Sequence, residues 1–253
     1  MRNRDIQILV DHIDGRKVAG EALTGADVTL LKLWDEIVSG GISAGATITP
    51  DYLVTLLEAA PVLVQEILIK FEFMGMLKRN HDGTVQVLPL TITELERLCD
   101  AIVELEGILT AHLATDIRDG AVPIIGRLSD IQRRVRRTVP IRDAKLSEQL
   151  NIDFKREIKA LCHSSYLISI HDYLMVLLER YRCICRGAER AISLVVSELE
   201  VVIDRIWAGD VDGARDAMRE HTLLMCQHYM EYLSRHPNFQ QQSVAAATAE
   251  RHI

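Results

Sequence analysis

The sequence has few aromatic residues, no long apolar run and no paired-cysteine motif. Aromatic side chains make up 5% of the 253 residues, although 48% of the chain is hydrophobic, so the core must consist mainly of aliphatic side chains. No apolar run reaches the roughly 18 residues of a membrane span, and the N-terminus carries too many charges for a signal peptide. Five cysteines without a CxxC pair are typical of a reduced protein. We therefore expect a cytoplasmic protein with no membrane partner.

An excess of positive charge is also missing. The net charge is −7 and the pI is near 5.7, which argues against non-specific binding of nucleic acid through overall charge. The sequence contains no phosphate-binding loop and no Ser/His/Asp or Cys/His signature of nucleophilic catalysis. We therefore expect neither an enzyme nor a cofactor.

The first third of the chain shows the pattern of a winged helix-turn-helix over residues 27–88, after an N-terminal extension at 1–26. Apolar residues recur at helical spacing from Asp27 to the Gly40-Gly41 pair, and the segment "ISAGATITP" is predicted to be a connector. A second helix begins near Pro61, a proline at the first turn, and ends at Gly75. Two short strands around Asp82-Gly83 predict a small β-hairpin wing.

Beyond Pro89 the periodicity is helical. Amphipathic stretches follow one another over residues 92–235, and a polar, alanine-rich segment at 236–253 is predicted to be a flexible tail. The predicted fold class is mainly α. It combines an N-terminal winged helix-turn-helix with an all-helical bundle that would form an effector-binding and dimerisation domain.

Two segments carry a resemblance to a known family. The stretch "LVTLLEAAPVLVQEILIKFEFMGML" resembles, without a gap, the helix-turn-helix of GntR-type bacterial transcription regulators. The stretch "VVIDRIWAGDVDGARDAMREH" resembles the closing motif of the FadR-type helical effector domain, called FCD. The matching positions in the two stretches are Leu53, Leu57, Val64, Glu66, Leu68, Gly75 and Met76, and Gly209, Asp210, Ala214, Arg215, Met218 and His221.

The resemblance implies a homodimer. Its winged helices would read a palindromic DNA operator, and its helical bundle would bind a small-molecule effector, commonly a carboxylate and often with the help of a divalent metal.

The positions that read DNA in this family are altered here. Where family members carry Ser-Arg at the start of the recognition helix and a further Arg one turn later, this chain has Ala60-Pro61 and Gln65. Residues 27–88 also contain eight acidic and four basic residues, a net charge of −4. The side chains that remain for DNA contact are Gln65, Lys70, Lys78, Arg79, His81 and Thr84.

The metal-binding positions of the family are altered as well. They correspond here to Asn151, Lys155, Leu199 and His221, of which only the last is a metal ligand of the family type. Leucine cannot bind a metal and an ammonium group repels one, so we expect no metal in this effector pocket. Two interpretations of Lys155 and His221 remain open. In the first, they hold an effector carboxylate by charge-assisted hydrogen bonds, with Asn151 as a further partner. In the alternative interpretation Lys155 points to solvent and His221 is a core histidine.

Two functions remain open from the sequence. The first is a dimeric DNA-binding transcription regulator that responds to a small-molecule effector in the helical domain. The second is an FCD-type dimer whose winged helix no longer binds DNA and serves as a ligand or protein interaction module. Basic residues on the outward face of the recognition helix and wing would favour the first, whereas outward-facing Glu66 and Glu72 would favour the second.

Overall fold

A computed structural model describes residues 4–15, 23–120, 123–138, 144–185, 196–236 and 239. The predicted flexible tail at 236–253 lies, apart from residues 236 and 239, outside the described residues. The elements in chain order are α1 (Arg4–Ile13), α2 (Gly25–Val38), β1 (Thr47–Ile48), α3 (Pro50–Leu57), α4 (Pro61–Phe73), β2 (Leu77–Arg79), β3 (Val85–Val87), α5 (Ile92–Arg118), α6 (Pro123–Thr138), α7 (Ala144–Leu161), α8 (Ser165–Ile184), α9 (Val196–Trp207) and α10 (Val211–Arg235).

No single described helix is long and apolar enough to cross a membrane. Within the described part of the chain, one pair of helices, α3 and α4, reaches this length and apolar content when taken together, and the two helices meet at a bend of 109°.

The described chain divides into two compact units. The first contains the described residues of Met1–Leu95, Met175–Ile184 and Leu233–Ile253, and the second those of Glu96–Leu174 and Cys185–Tyr232.

Two helices of the first unit, α2 and α3, begin at sequence-encoded caps. At the start of α2, the hydroxyl of Thr24 accepts a hydrogen bond from the Asp27 amide, and the Asp27 carboxylate accepts one from the Thr24 amide. At the start of α3, the hydroxyl of Thr49 accepts a hydrogen bond from the Tyr52 amide, and Pro50 occupies the first helical position. The start of α4 at Ala60 has no side-chain cap. This helix therefore presents first-turn amides without a side-chain partner.

The predicted wing is a three-stranded antiparallel sheet in the order β1-β3-β2. Strands β2 and β3 form the expected hairpin, with Leu77 opposite Val87. The prediction of "ISAGATITP" as a connector was incomplete, because its residues Thr47 and Ile48 form β1 and pair with β3. A two-residue strand is too short to give a periodic sequence signal, so its existence depends on the hairpin beside it.

The N-terminal extension also contributes structure to the first unit. Helix α1 packs against α2, and its residues Ile8 and Leu9 are buried. Its polar side chains contact the other helices: Arg4 lies 2.9 Å from Asp27, Asp5 lies 3.1 Å from Lys70 of α4, and His12 lies 2.8 Å from Asp35. The apolar residues of α1 thus belong to the same core as the winged helix.

The segment that follows β3 is held by the C-terminal part of α8. Nη2 of Arg180 donates to the carbonyl of Leu88 at 2.6 Å, and the hydroxyl of Tyr181 donates to the carbonyl of Thr91 at 3.3 Å. Burial lowers the pKa of Arg180 to about 10. The backbone between the wing and α5 is therefore anchored by two side chains of a single helix.

The second unit is a helical bundle with an aliphatic core, as the low aromatic content predicts. Helices α6, α7 and α9 pack on one another, and Phe154 of α7 is fully buried among leucine, isoleucine and valine side chains. Helices α5 and α10 complete this core through Leu109 and Met218, among others. Several polar side chains are also buried in this unit, and those around Glu106 form an internal cluster that is described below.

Gly209 ends α9 and provides the first test of this architecture. Its φ is +63°, a left-handed conformation, and an added Cβ would lie 2.9 Å from Cβ and 3.3 Å from Cα of Arg118. We expect Gly209→Ala to lower the free energy of unfolding by about 1–3 kcal/mol, because both the backbone conformation and the contact are unfavourable. Denaturant unfolding of the purified protein measures this change.

A matched glycine-to-alanine control lies on α6. A Cβ at Gly126 would meet no atom within 4 Å, and the residue is exposed on a helix. Gly126→Ala should therefore stabilise the protein by about 0.5–1 kcal/mol. Equal effects of the two substitutions would contradict the described geometry of Gly209.

Candidate nucleic-acid interface and effector site

The arginine of the wing lies against the predicted DNA-reading helix. Nη1 of Arg79 donates to Oε1 of Gln65 at 3.0 Å, and Nε of Arg79 donates to Oε1 of Glu72 at 3.2 Å. Arg79 and Gln65, both predicted DNA contacts, are therefore brought together. A phosphate or base that meets Arg79 must compete with a carboxylate on the same surface.

Lys70, another predicted DNA contact, is engaged inside the module. Its Nζ lies 3.1 Å from Asp5 of α1 and 3.1 Å from Glu66 of α4. Burial by itself lowers the pKa of Lys70, but the two carboxylates outweigh it and raise the pKa above its usual value. The ammonium group is thus neutralised by two carboxylates and stabilises the packing of α1 on α4.

The remaining predicted DNA contacts lie at the tip of the wing. Lys78 and His81 are exposed and form no hydrogen bond or ion pair with other described residues. The hydroxyl of Thr84 donates to Oδ1 of Asp82 at 2.6 Å and accepts from Nδ2 of Asn80 at 3.0 Å. Thr84 therefore shapes the turn that presents the two basic residues.

The outward face of α4 is apolar, a feature that the sequence interpretation missed. Val62, Ile69 and Phe73 are 81%, 60% and 83% exposed, and their spacing of seven and four residues places them on one side of the helix. Glu66 lies between them and is 55% exposed. The signal was the apolar character of the whole helix, since Val64, Ile67, Leu68 and Phe71 already fill its inward face.

In the second unit, two of the predicted effector-site residues contact each other. Nε2 of His221 lies 3.0 Å from Oδ1 of Asn151, and both side chains are buried. Leu199, the third position, is fully buried within the aliphatic core. The imidazole and the amide thus form an internal hydrogen bond beside that core.

Lys155, the fourth position, points inward and meets a carboxylate of the chain itself. Its Nζ lies 2.9 Å from Oε1 of Glu106 on α5. Nε2 of His171 on α8 lies 3.0 Å from the same oxygen, and the hydroxyl of Thr222 on α10 donates to Oε2 of Glu106 at 2.5 Å. The sequence interpretation identified only Lys155 of these four residues, because each of the other three lies on a different helix and no sequence motif connects them to Lys155.

A second ion pair extends this cluster. Nζ of Lys159, one turn beyond Lys155, lies 2.7 Å from Oδ1 of Asp172. Nδ1 of His171 has no hydrogen-bond partner among the described residues and lies 4.0 Å from the same Asp172 oxygen. A cavity of about 10 Å³, with room for about one water molecule, is lined by Glu106, Leu109, Lys155, Ile158, Lys159, His171 and Met218.

The electrostatics of the cluster keep both carboxyl groups ionised. Burial opposes the charged form of Glu106, but the charge of Lys155 and the hydrogen bonds from His171 and Thr222 outweigh it, so its pKa lies well below the usual range. The pKa of Asp172 is also lowered, since His171 and Lys159 outweigh the effect of burial. Among the described residues, no group of three His, Cys, Asp or Glu side chains is arranged to hold a metal ion.

Comparison with known proteins identifies the family. Residues 96–223 match the model of the FCD domain. E. coli McbR/YncC has a similar structure, with a TM-score of 0.60 and 16% identity over 83% of this chain and 100% of that chain. A transcriptional regulator GntR from Rhodococcus sp. RHA1 has a TM-score of 0.58 and 14% identity over 81% of this chain and 97% of that chain.

A third similar structure is Lar, which controls the expression of the Listeria monocytogenes agr system; its TM-score is 0.56, with 9% identity over 84% of this chain and 99% of that chain. A comparison with curated protein sequences finds no match. At these identities the structural likeness establishes the fold, and the FCD model covers more than half of the residues. The chain therefore belongs to the FCD-domain family and has the winged-helix and helical-bundle fold of GntR-type transcription regulators.

Proposed function

We propose that the protein is a homodimeric DNA-binding transcription regulator whose FCD domain responds to a small-molecule effector. The observation that carries this proposal is the presence, in one chain, of a three-stranded winged helix and an FCD domain. Two winged helices related by a dimer axis would meet two half-sites of a palindromic operator. Effector binding would change their relative placement and so the affinity for DNA.

The wing is the proposed principal DNA contact. Lys78 and His81 are exposed and available, and Arg79 lies beside them at the end of β2. The uncapped first turn of α4 offers amides to a phosphate, although Pro61 has no N–H to contribute. This arrangement favours phosphate contacts over base contacts, since Gln65 is the one predicted base-reading side chain on the helix.

The proposed effector site is the region around Lys155, Asn151 and His221. The ammonium of Lys155 faces inward, and the Asn151–His221 hydrogen bond lies in the same domain. A cationic donor in a buried position favours an anionic ligand. A small carboxylate is accordingly the proposed effector class.

We expect the double variant Lys78→Ala/Arg79→Ala to lose at least tenfold in affinity for the intergenic DNA beside the protein's own gene. Each lost phosphate contact removes about 0.9 from the slope of log K against log salt, so the variant should also respond less to salt. A fluorescence titration at two salt concentrations measures both quantities.

A charge-matched control is available on the FCD domain. Arg133→Ala/Arg137→Ala removes two exposed positive charges from α6, and it should leave the titration unchanged. If the wild-type protein binds this DNA no better than random DNA, or if both double variants lose affinity equally, a DNA-reading role of the wing is contradicted.

A second candidate function is favoured by one observation, the apolar outward face of α4. A solvated apolar stripe with glutamates along it, Glu66 on α4 and Glu58 at 85% exposure before it, is typical of a protein-binding surface. The complementary partner would be an amphipathic helix with an apolar face bordered by lysine or arginine. Absence of specific DNA binding, together with binding of such a basic amphipathic peptide that Phe73→Glu abolishes, would support this function instead.

A further inference from the structure

Three donors from three helices converge on the carboxylate of Glu106. The ammonium of Lys155, the imidazole of His171 and the hydroxyl of Thr222 come from α7, α8 and α10, and together they reach both carboxylate oxygens within 3.0 Å. The side chain of Glu106 is only 2% exposed, and it comes from a fourth helix, α5. The donors therefore form a buried anion site, and the anion is supplied by the chain itself.

The composition of this site defines the ligand chemistry. One ammonium, one imidazole and one hydroxyl can satisfy a single carboxylate, and a buried carboxylate is stable only when it is paired in this way. Leu109, Ile158 and Met218 line the space beside the carboxylate. An anion with a short apolar tail matches this environment, whereas a second charged group would meet only Lys159, which is already paired with Asp172.

Among the described residues, the space beside Glu106 is too small for an external carboxylate while Glu106 is in place. The cavity beside it measures about 10 Å³, the size of about one water molecule. Any other carboxylate must therefore replace the Glu106 headgroup on Lys155, His171 and Thr222. The two anions would compete for one set of donors.

We propose that Lys155, His171 and Thr222 form a binding site for a small monocarboxylate and that Glu106 is its resident occupant. An external monocarboxylate then binds only in competition with Glu106, and the domain keeps its internal ion pairing when no effector is present. This proposal rests on the proposed effector-binding function of the FCD domain, and it identifies both the donors and the competing group.

The test is chemical rescue of a Glu106→Ala variant. The atoms that this substitution removes beyond Cβ correspond to those of acetate, so acetate should fill the vacated space and regain the three donors. We expect sodium acetate at about 100 mM to raise the Tm of full-length Glu106→Ala by about 5 °C or more relative to sodium chloride of the same concentration. Formate should act more weakly, and the bulky pivalate should have no effect.

Two controls separate specific binding from a general salt effect. Glu106→Gln keeps the space filled, and Glu104→Ala removes an exposed carboxylate from the same helix. Neither variant should respond to acetate beyond the response of the wild-type protein. An equal rise of Tm in all variants, or no rise in Glu106→Ala, would overturn the proposal.

The proposal can also be tested if Glu106→Ala does not fold in the absence of acetate. Glu106→Ala can be refolded from denaturant in acetate and, in parallel, in chloride, with circular dichroism as the readout. Recovery in acetate alone supports the proposal, whereas recovery in neither or equally in both contradicts it. These measurements contain no DNA, so a failure of operator binding leaves their interpretation unchanged.

Discussion

Lys155→Met is expected to lower the free energy of unfolding by about 3–5 kcal/mol at neutral pH, because it leaves the buried Glu106 carboxylate without its main counter-charge. Glu106→Gln should also destabilise the protein, since it leaves the ammonium of Lys155 without a negatively charged partner. The double variant should lose less than the sum of the two single variants, because the glutamine carbonyl still accepts a hydrogen bond and no unpaired charge remains. Denaturant unfolding of the four proteins measures the coupling.

An exposed ion pair serves as the comparison. Arg219 lies 2.6 Å from Glu104, and both side chains are more than 40% exposed. Arg219→Met should have no measurable effect on stability, because solvent screens such pairs. Additive losses in the Lys155/Glu106 cycle would mean that the two groups do not interact as described.

The contribution of Glu106 to the free energy of unfolding should decrease at acidic pH. Because the pKa of Glu106 is lowered on folding, its contribution is complete above about pH 4.5, its value in the unfolded chain, and is lost as the pH falls toward the folded value. Wild-type stability should therefore fall below about pH 4.5. Glu106→Gln, which has no titratable group at this position, should lack that part of the decline.

Ile69→Lys/Phe73→Lys is expected to raise the affinity for duplex DNA by about 10- to 100-fold at roughly 0.1 M salt. Both side chains are exposed on the outward face of α4, so the substitutions remove no core contact. Each new lysine that reaches a phosphate releases counterions and steepens the dependence of log K on log salt by about 0.9. A titration of random-sequence duplex DNA at several salt concentrations gives both numbers.

A control variant adds two lysines to helices outside the winged helix. Val201 and Leu223 are exposed apolar residues of α9 and α10, and Val201→Lys/Leu223→Lys should change DNA affinity much less. Equal gains in the two variants would show an effect of net charge alone. No gain from the α4 variant would mean that this face does not approach DNA, in favour of the protein-binding function.

The winged helix illustrates how much of the site follows from sequence. The helix beginning at Pro61, its end at Gly75 and the hairpin at Asp82-Gly83 depend on local turn and cap chemistry, so they could be predicted. The neutralisation of Lys70 by Asp5 could not, because 65 residues separate the two side chains. Likewise, the exposure of Phe73 depends on which face of an all-apolar helix the core covers.

The residues of the proposed effector site likewise divide into those that the sequence indicates and those that only the tertiary fold brings together. The inward direction of Lys155 was one of two interpretations, and the structure places its ammonium on Glu106. Glu106 and Thr222 lie 116 residues apart and meet only because α5 and α10 pack in the same bundle. No local spacing encodes such a contact, and a lone glutamate in an amphipathic helix normally indicates a solvated position. Its burial is a property of the tertiary fold.

Helix α8 carries two sets of contacts at fixed separation. His171 and Asp172 belong to the buried ionic cluster, and Arg180 and Tyr181 hold the backbone at Leu88 and Thr91. His171 and Arg180 are nine positions apart, as are Asp172 and Tyr181, which corresponds to about 14 Å along the helix axis at 1.5 Å per residue. Because a hydrogen-bonded helix keeps this rise, α8 holds its two sets of contacts at a constant distance from each other along its axis.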